Sequence, residues 1–419
     1  MAKHENSPEP LRHPAFLRFW LGRVATSMAF QMLAVAVGWQ VFGLTHSAFA
    51  LGFIGLAQFL PMVLLMLAVG HVADRYDRRA VAAICEVIEA LATAALAAGT
   101  ILGWTSTALI FTAVVVVGAA RAFEAPSLQA LVPTLVPAPL IPAAAARSSS
   151  ANQTAVIIGP ALGGLLYAAQ PPSVYVVATA LFAAAGVLMS TIRMERRAAD
   201  REPPSLRSIF AGVAFIRARP IILGAISLDL FAVLLGGATA LLPIYARDIL
   251  ATGPWGLGLL RAAPAVGALT TSLLVGHRAL HRRVGRTMFA AVIVFGLATI
   301  AFGISHWFVV SLCALVVLGA ADVMSVVIRQ SLVQIRTPDA MRGRVSAVNS
   351  LFIGTSNQLG EFESGVTAGW FGAVPAVLLG GIGTIVVALL WMRLFPQLAA
   401  VDRLDALPAS KQDRHAAKR

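Results

Sequence analysis

Three carboxylic acids lie deep inside long apolar stretches of this chain, namely Asp229, Asp322 and Glu361. An ionisable side chain is costly to bury in such a stretch, so it usually faces a cavity or a charged partner. A carboxyl group in that setting can bind a proton and release it when water or a cation reaches it. These residues therefore predict proton coupling, and the alternative for each is a structural ion pair, such as Asp322 with Arg329 or Arg121.

Other polar residues on the apolar stretches are candidates for the wall of an internal cavity. Helical spacing places Arg329 on the face of Asp322, and it places Asn357 on the face of Glu361. In a bundle of helices, polar faces of this kind point inward, toward water and a bound compound. The full set of cavity candidates is Gln31, Gln58, Arg121, Arg261, Arg329 and Asn357.

The glutamates and cysteines in other apolar stretches are predicted to have structural roles. Glu86 and Glu89 are predicted to balance nearby loop arginines near one membrane face. Cys85 and Cys313 stand far apart in apolar stretches and are interpreted as small buried side chains. The sequence contains no phosphate loop, no metal-ligand spacing and no catalytic triad pattern, so it predicts neither an enzyme, nor a cofactor, nor a metal site.

The bulk composition predicts that these residues belong to a membrane protein. The chain has 419 residues, of which 58% are hydrophobic and 12% are charged, whereas soluble domains carry about 25% charged residues. The net charge of +13 does not indicate nucleic acid, because the basic residues lie at the ends of apolar runs. Runs of about 20 apolar residues predict spanning helices. The twelve predicted segments are 17–43, 48–70, 80–102, 105–125, 141–169, 173–192, 220–246, 254–277, 286–304, 306–330, 343–372 and 374–395.

Lysine and arginine are concentrated in alternate loops. The basic loops fall within 75–79, 193–207, 282–286 and 336–344, whereas the short loops 45–47, 103–104 and 170–172 contain neither residue. Basic loops face the cytoplasm, so both termini are predicted to be cytoplasmic. Arg247 is the main exception to this pattern.

The two halves of the chain resemble each other. Residues 115–164 align without gaps to 316–365, and the matches include Gly118 with Gly319, Gly159 with Gly360 and Gly164 with Gly365; a shorter match pairs Gly52 with Gly258. Parallel repeats of six helices with a site between them are known from transporters. The predicted units are an N-terminal bundle over 1–192, a cytoplasmic linker over 193–219, a C-terminal bundle over 220–395 and a basic cytoplasmic tail over 396–419.

The loop between the second and third segments has a distinctive order of residues. Its defining members are Gly70, Asp74, Arg75, Asp77, Arg78 and Arg79. This order resembles the cytoplasmic loop between helices 2 and 3 of major facilitator superfamily transporters, where the loop latches the two halves together. The resemblance implies a cytoplasmic latch here, and the alternative is a basic loop that only sets the topology.

A second motif lies within the fifth segment and consists of Gly159, Pro160, Gly163 and Gly164. The run is similar to the helix-5 signature of drug:proton antiporters in this superfamily. Close packing of helices explains the same residues, because glycines let neighbouring backbones approach. The helix-4 arginine motif of these antiporters is only partly matched, with Arg121 in the corresponding region.

Longer stretches resemble the enterobactin-exporter-like branch of the superfamily, a group of bacterial multidrug and siderophore exporters. They are Phe16–Gly22, Ser47–Leu56, Gly70–Arg79, Leu241–Asp248, Leu257–Gly267 and Gly343–Ser350. The resemblance implies an all-α membrane protein with twelve transmembrane helices in two pseudo-symmetric six-helix bundles.

The same resemblance implies a function. The expected protein is a monomeric secondary active transporter of the bacterial inner membrane, in contact with lipids. It exports small amphipathic compounds, either drugs or siderophores, by proton antiport and alternating access. Two alternatives stay open: a proton-coupled importer, and a membrane sensor or assembly protein that does not transport.

Overall fold

The computed structural model describes residues 9–65, 68, 69, 72, 75–192, 206–277 and 283–403. Its first long helices are α1 (Pro14–Thr45), α2 (Ala48–Leu64), α3 (Arg78–Leu102), α4 (Thr107–Leu131), α5 (Ile141–Ala169) and α6 (Pro171–Ser190). They are followed by α7 (Leu206–Arg217), α8 (Pro220–Leu235), α9 (Gly253–His277), α10 (Val284–Ile304), α11 (Phe308–Arg336), α12 (Asp339–Phe371) and α13 (Ala373–Leu394). Gly70 and Asp74, residues 193–205 of the predicted linker and residues 404–419 of the predicted tail lie outside the described residues.

Local capping explains where several helices begin and end. The side chains of Ser47 and Ser106 accept hydrogen bonds from the backbone N–H groups of Ala50 and Leu109, at the starts of α2 and α4. Gly103 ends α3 with φ of 75°, a left-handed conformation that glycine adopts without steric cost. The connections from α1 to α2 and from α3 to α4 are only a few residues long. Short connections favour antiparallel neighbours.

Nine helical stretches within the described residues are long and apolar enough to cross a membrane. The helices α2, α5 and α12 complete a series of twelve, in agreement with the twelve predicted segments. Helix α2 is apolar but short, while α5 and α12 carry more polar and charged residues. All three contact the opposite half of the protein, α2 with α12 and α5 with α9. The lower apolarity of α5 and α12 fits this position, because a helix between the halves is partly shielded from lipid.

Each half has its own packed core. One core includes Met32, Leu96, Ile110 and Phe182 from α1, α3, α4 and α6. The other includes Leu228, Met288, Ile328 and Ala388 from α8, α10, α11 and α13. Close packing stabilises such cores in a membrane, because lipid tails are as apolar as the side chains themselves.

The aligned glycines of the two halves occupy equivalent contacts. Gly164 of α5 meets α9 at Gly258, and Gly365 of α12 meets α2 at Gly52. Because α5 and α12 occupy corresponding places in the repeat, as do α2 and α9, these two contacts are related by the internal symmetry. The two bundles therefore join through two symmetric pairs of helices.

A second pair of aligned glycines shows the same symmetry inside the bundles. A Cβ atom built on Gly118 of α4 would lie 3.0 Å from Cα of Gln58 on α2. Gly319 of α11 is packed in the same way against Pro264 of α9. The repeat that the sequence predicts thus has a physical basis, since both members of each pair need a residue without a side chain.

Two predicted segments differ in detail from the structure. The segment predicted over 220–246 is interrupted, because α8 ends at Leu235 and the chain continues through a 3-10 turn at Ala238–Leu241 and a π-helical turn at Tyr245–Ile249. The described part of the predicted linker is not a loop: α7 packs through Gly212 against α12, where a Cβ atom would meet the carbonyl oxygen of Arg344 at 3.0 Å. The proposed division of the chain at 192 and 219 stays a prediction.

Candidate functional site

A central cavity of about 120 Å³ lies between the two bundles. Its wall from the N-terminal half is largely apolar and comes from α1, α2 and α4, with Gln58 as the polar member. The wall from the C-terminal half supplies three polar side chains, Arg261 of α9 and Gln358 and Glu361 of α12. An apolar pocket with a few convergent polar groups is the usual form of a small-molecule site.

Glu361 lies where the two bundles meet. A Cβ atom built on Gly55 of α2 would be 3.0 Å from Cβ and 3.1 Å from Oε2 of Glu361, so a side chain there would crowd this carboxylate. Arg261 is the oppositely charged group that acts on Glu361. One carboxylate and one guanidinium from facing helices therefore share the cavity with the apolar wall of the other bundle.

Helices α2 and α12 approach each other closely toward the end of the cavity near the loops that lack lysine and arginine. A Cβ atom built on Gly52 would lie 2.9 Å from Cα of Gly365. On the same pair of helices, the rings of Phe53 and Phe362 meet edge to face with centroids 5.4 Å apart. The structure thus brings α2 and α12 together near their outer ends, if the basic loops are cytoplasmic as predicted.

Arg247, the exception to the charge pattern, belongs to the same outer region. Its guanidinium lies 6.0 Å from the ring centroid of Trp39 and 5.9 Å from that of Phe42, both on α1. A Cβ atom built on Gly43 would approach its Nη1 atom to 3.0 Å. The π-helical turn that carries Arg247 points this cation across the boundary between the bundles. This contact with α1 explains why Arg247 lies in a region where the charge pattern of the loops predicts no arginine.

A second polar site lies inside the C-terminal bundle. Asp229 of α8 and Arg329 of α11 form an ion pair in which both side chains are almost fully buried. Asp322 and Ser325 line a small cavity beside Asp229, of about 10 Å³, which is close to the volume one water molecule needs. The predicted ion pair of Asp322 with Arg329 is not the one that forms, because the arginine reaches Asp229 on the neighbouring helix.

A third polar site lies in the N-terminal bundle, and the sequence reasoning missed it. Carboxylate oxygens of Glu86, Glu89 and Glu124 lie within 4.8 Å of one another, and all three residues are buried. Arg121 approaches Glu124 with 3.5 Å between Nη1 and Oε2. Glu86 and Glu89 were interpreted as partners of loop arginines, but they point into the bundle instead. Their spacing of three residues on one helix face was the available signal.

The helix-5 motif serves two surfaces of α5. Cβ atoms on Gly159 and Gly163 would lie 2.7 Å from Cβ of Gln31 and 2.8 Å from Cα of Met32, so both glycines let α5 approach α1. Gly164 faces α9 in the other bundle, and Pro160 is buried beside it. The motif therefore packs helices within one bundle and also between bundles.

The described part of the predicted latch contacts its own bundle. Asp77 caps α3 by accepting a hydrogen bond of 2.9 Å from the backbone N–H of Arg79. The Arg79 side chain pairs with Asp77 at 3.2 Å and donates to the carbonyl oxygen of Ile192, just beyond α6. Arg75 is exposed and Arg78 is half-buried. A latch that joins the two halves stays a prediction.

The other predicted cavity residues are distributed over several places. Gln31 lies at the contact of α1 with α5, as described above. The guanidinium of Arg121 stacks on the ring of Phe30 at 3.8 Å from the centroid. Asn357 is exposed, and its neighbour Gln358 lines the cavity. The part of the cavity wall that α12 forms therefore includes Gln358 and Glu361 but not Asn357.

Solved structures with a similar fold are transporters. A bacterial homologue of the lysosomal transporter Spinster matches with a TM-score of 0.73 at 14% identity, over 94% of this chain and 99% of its own. The nucleoside transporter NupG matches with a TM-score of 0.69 at 16% identity, over 91% and 99% of the two chains. The predicted all-α major facilitator fold is thereby confirmed.

Relatives in sequence are named as exporters. An enterobactin exporter, EntS, of Citrobacter koseri is 26% identical over 94% of this chain and 95% of its own. EntS of Escherichia coli O1:K1 / APEC is 25% identical over 92% and 93% of the two chains. The model of the transmembrane secretion effector family matches residues 6–417. The chain therefore belongs to this family of major facilitator transporters and is a multi-pass membrane protein.

Proposed function

We propose that this transporter exports small amphipathic compounds, siderophores or drugs, in exchange for protons. The observation that supports it most directly is the central cavity, in which Glu361 and Arg261 stand among apolar side chains from the opposite bundle. Apolar walls suit the body of an amphipathic compound, and the two charges suit its polar groups. The sequence relatives named enterobactin exporters support the direction of transport and the siderophore class.

Competition at Glu361 supplies a physical route to antiport. A substrate with an ammonium or hydroxyl group can bind the ionised carboxylate, and a proton that binds Glu361 removes that acceptor. Substrate and proton then occupy the site in turn. A bound species shifts a conformational equilibrium only if its contacts differ between the two states. Glu361 meets this requirement, because its packing against Gly55 of α2 must change when the bundles separate.

We infer that the protein works as a monomer in the bacterial inner membrane, with both termini in the cytoplasm. The basic loops support this orientation. The cavity then alternates between the cytoplasmic side and the outer side as the bundles rock, and this motion opens and closes the α2–α12 and α5–α9 contacts. Asp322 is a second candidate proton carrier, since it lines a cavity beside the Asp229–Arg329 pair.

The test is efflux of a fluorescent cationic dye, and of a siderophore, from bacteria that lack their own exporters. Cells expressing the protein should accumulate less compound, and an uncoupler of the proton gradient should abolish the difference. Glu361→Gln should remove uncoupler-sensitive efflux. Glu363→Gln is the matched control, because Glu363 lies on the same helix and accepts a 2.8 Å hydrogen bond from Thr367.

The other outcomes separate the alternatives. Higher accumulation that depends on the proton gradient would indicate an importer. An unchanged level for all compounds, with normal membrane expression, would indicate a protein that does not transport them. Equal efflux by Glu361→Gln and the control would exclude Glu361 as the coupling group and direct attention to Asp322.

A further inference from the structure

The buried carboxylates of the N-terminal bundle are not used by the proposed transport cycle. Glu86 and Glu89 of α3 and Glu124 of α4 are at most 1% exposed. Burying several carboxylates together is unfavourable unless their charge is compensated. Their grouping within 4.8 Å therefore needs a source of positive charge.

Charged neighbours compensate only part of this cluster. Arg121 of α4 pairs with Glu124, and Arg23 of α1 is the second guanidinium that acts on Glu124. Within the part of the chain that the structure describes, these three carboxylates and two guanidinium groups leave one negative charge. Other described groups at the cluster include the Cys85 thiol, the Thr26 hydroxyl and the backbone of α6 at Gly186, and these do not supply a cation.

The contacts of Thr26 are compatible with a proton on Glu86. The Thr26 hydroxyl lies 3.1 Å from the carbonyl oxygen of Gly22 and also contacts a carboxylate oxygen of Glu86. A hydroxyl group has one proton, so it can donate to only one of these two acceptors. If Glu86 carries a proton, it donates to Thr26 while Thr26 donates to Gly22, and both contacts become hydrogen bonds.

Glu89 gives the same indication independently. Its side chain is fully buried, and neither of its carboxylate oxygens has a hydrogen-bond partner among the described residues. One oxygen of Glu86 and one of Glu124 are also without a partner there. A proton on one member of the cluster allows a carboxylic acid O–H to donate to a neighbouring carboxylate, as in other paired carboxyl groups.

We propose that Glu86, Glu89 and Glu124 form a binding site for one shared proton within the N-terminal bundle. The proton comes from water, and it neutralises the one uncompensated charge. Arg121 lies at the edge of the site, since its side chain is 32% exposed while that of Glu124 is 2% exposed. The site lies in the opposite bundle from Asp229, Asp322 and Glu361, and its occupancy does not depend on the direction of transport.

Infrared spectroscopy of the purified full-length protein tests the proposal, because a protonated carboxylic acid has its own carbonyl band, which shifts in heavy water.

Charge balance predicts the effect of each variant. Glu86→Gln and Glu89→Gln each leave two carboxylates with two arginines, so each should lose the band of one carboxylic acid at neutral pH. Arg121→Gln removes a cation, so the band should grow by about one further carboxylic acid. Glu363→Gln is the control and should leave the cluster's band unchanged.

Three results would overturn the proposal. One is a wild-type spectrum that Glu86→Gln and Glu89→Gln leave unchanged, with both variants folded as judged by size-exclusion chromatography. Another is a carboxylic acid band that does not grow in Arg121→Gln, a variant that keeps all three carboxylates of the cluster. A third is an equal loss of the band in Glu363→Gln, which would place the protonated carboxyl group outside the cluster. The experiment measures binding at equilibrium, so it fails or succeeds separately from the efflux assay.

Discussion

At the scale of single residues, buried charges lie in the central cavity and inside each of the two bundles. The Asp229–Arg329 pair has partners that satisfy each other within the C-terminal bundle. Glu361 and Arg261 face the central cavity, and Asp322 lies beside the pair without an ion pair of its own among the described residues. A satisfied pair suits a structural role, whereas a carboxylate that can change partners suits proton transfer. The structure therefore favours Asp322 and Glu361 over Asp229 as candidate proton carriers.

Removing one partner of the buried pair should be more harmful than removing both. Arg329→Gln leaves Asp229 as an uncompensated buried charge, which costs about 3–5 kcal/mol of stability for buried pairs in general. The double variant Arg329→Gln/Asp229→Asn should recover much of that loss, since no charge is left alone. Thermal unfolding of the purified proteins measures the difference. A double variant less stable than Arg329→Gln would argue against a structural pair.

At the scale of helices, glycine determines how closely the bundles meet. Gly52, Gly164, Gly258 and Gly365 form two symmetric contacts near the outer end of the cavity. Side chains at these places would collide with backbone atoms rather than with flexible groups. Small residues of this kind mark close helix–helix contacts in membranes. The glycines of the helix-5 motif thus allow close helix packing, and Gly164 also lies at the contact between the two bundles.

Larger residues at either symmetric contact should have the same effect. Gly164→Leu and Gly365→Leu should each keep the outer ends of the bundles apart and reduce efflux by at least about tenfold, since a close backbone approach leaves no room for a side chain. Gly343→Ala is the control, because a Cβ atom there has no neighbour within 4 Å. Efflux is compared at equal membrane expression. Normal efflux by both leucine variants would show that the seal need not close fully.

At the scale of the whole molecule, the two bundles meet around a central cavity. The contacts of α2 with α12, of α5 with α9 and of Arg247 with α1 lie toward one end of it, which is the outer end if the basic loops are cytoplasmic as predicted. Alternating access requires these contacts to open in the other state. Contacts formed in only one state set the balance between the states, so Arg247 should favour the closed outer end.

Loss of Arg247 should therefore shift the protein toward the state that is open to the outside. A cation–π contact at a partly exposed site contributes about 0.5–1 kcal/mol, which corresponds to a change of about two- to fivefold in the ratio of states. A membrane-impermeant maleimide added to spheroplasts should label the cavity residue of an Ala240→Cys, Cys313→Ser background faster by this factor in Arg247→Gln.

The control for this measurement is Arg393→Gln, which removes an exposed arginine on α13 far along the chain from the outer seal. Its labelling rate should equal that of the parent. Equal rates for Arg247→Gln and Arg393→Gln would contradict a role of Arg247 in the seal.

The pattern of apolar and basic residues was enough to predict the class of the molecule and its repeated plan. Apolar runs of spanning length report directly on the membrane, because every spanning helix must satisfy its backbone internally and present apolar side chains to lipid. The repeat was visible in the aligned pairs Gly118 with Gly319 and Gly164 with Gly365. Equivalent helix contacts exclude a side chain at the same positions in both halves. The carboxylates of the C-terminal half were found for a similar reason, since a charge stands out in an apolar run.

Only the tertiary structure decided which charges meet. Arg329 pairs with Asp229 rather than Asp322, and Glu86 and Glu89 join Glu124 instead of the loop arginines. Ion pairs and buried clusters between helices depend on the rotation of each helix about its axis, and a shift of one residue replaces Asn357 by Gln358 in the cavity wall. That rotation is fixed by packing against neighbouring helices, so a polar face on one helix does not by itself show which partner it meets.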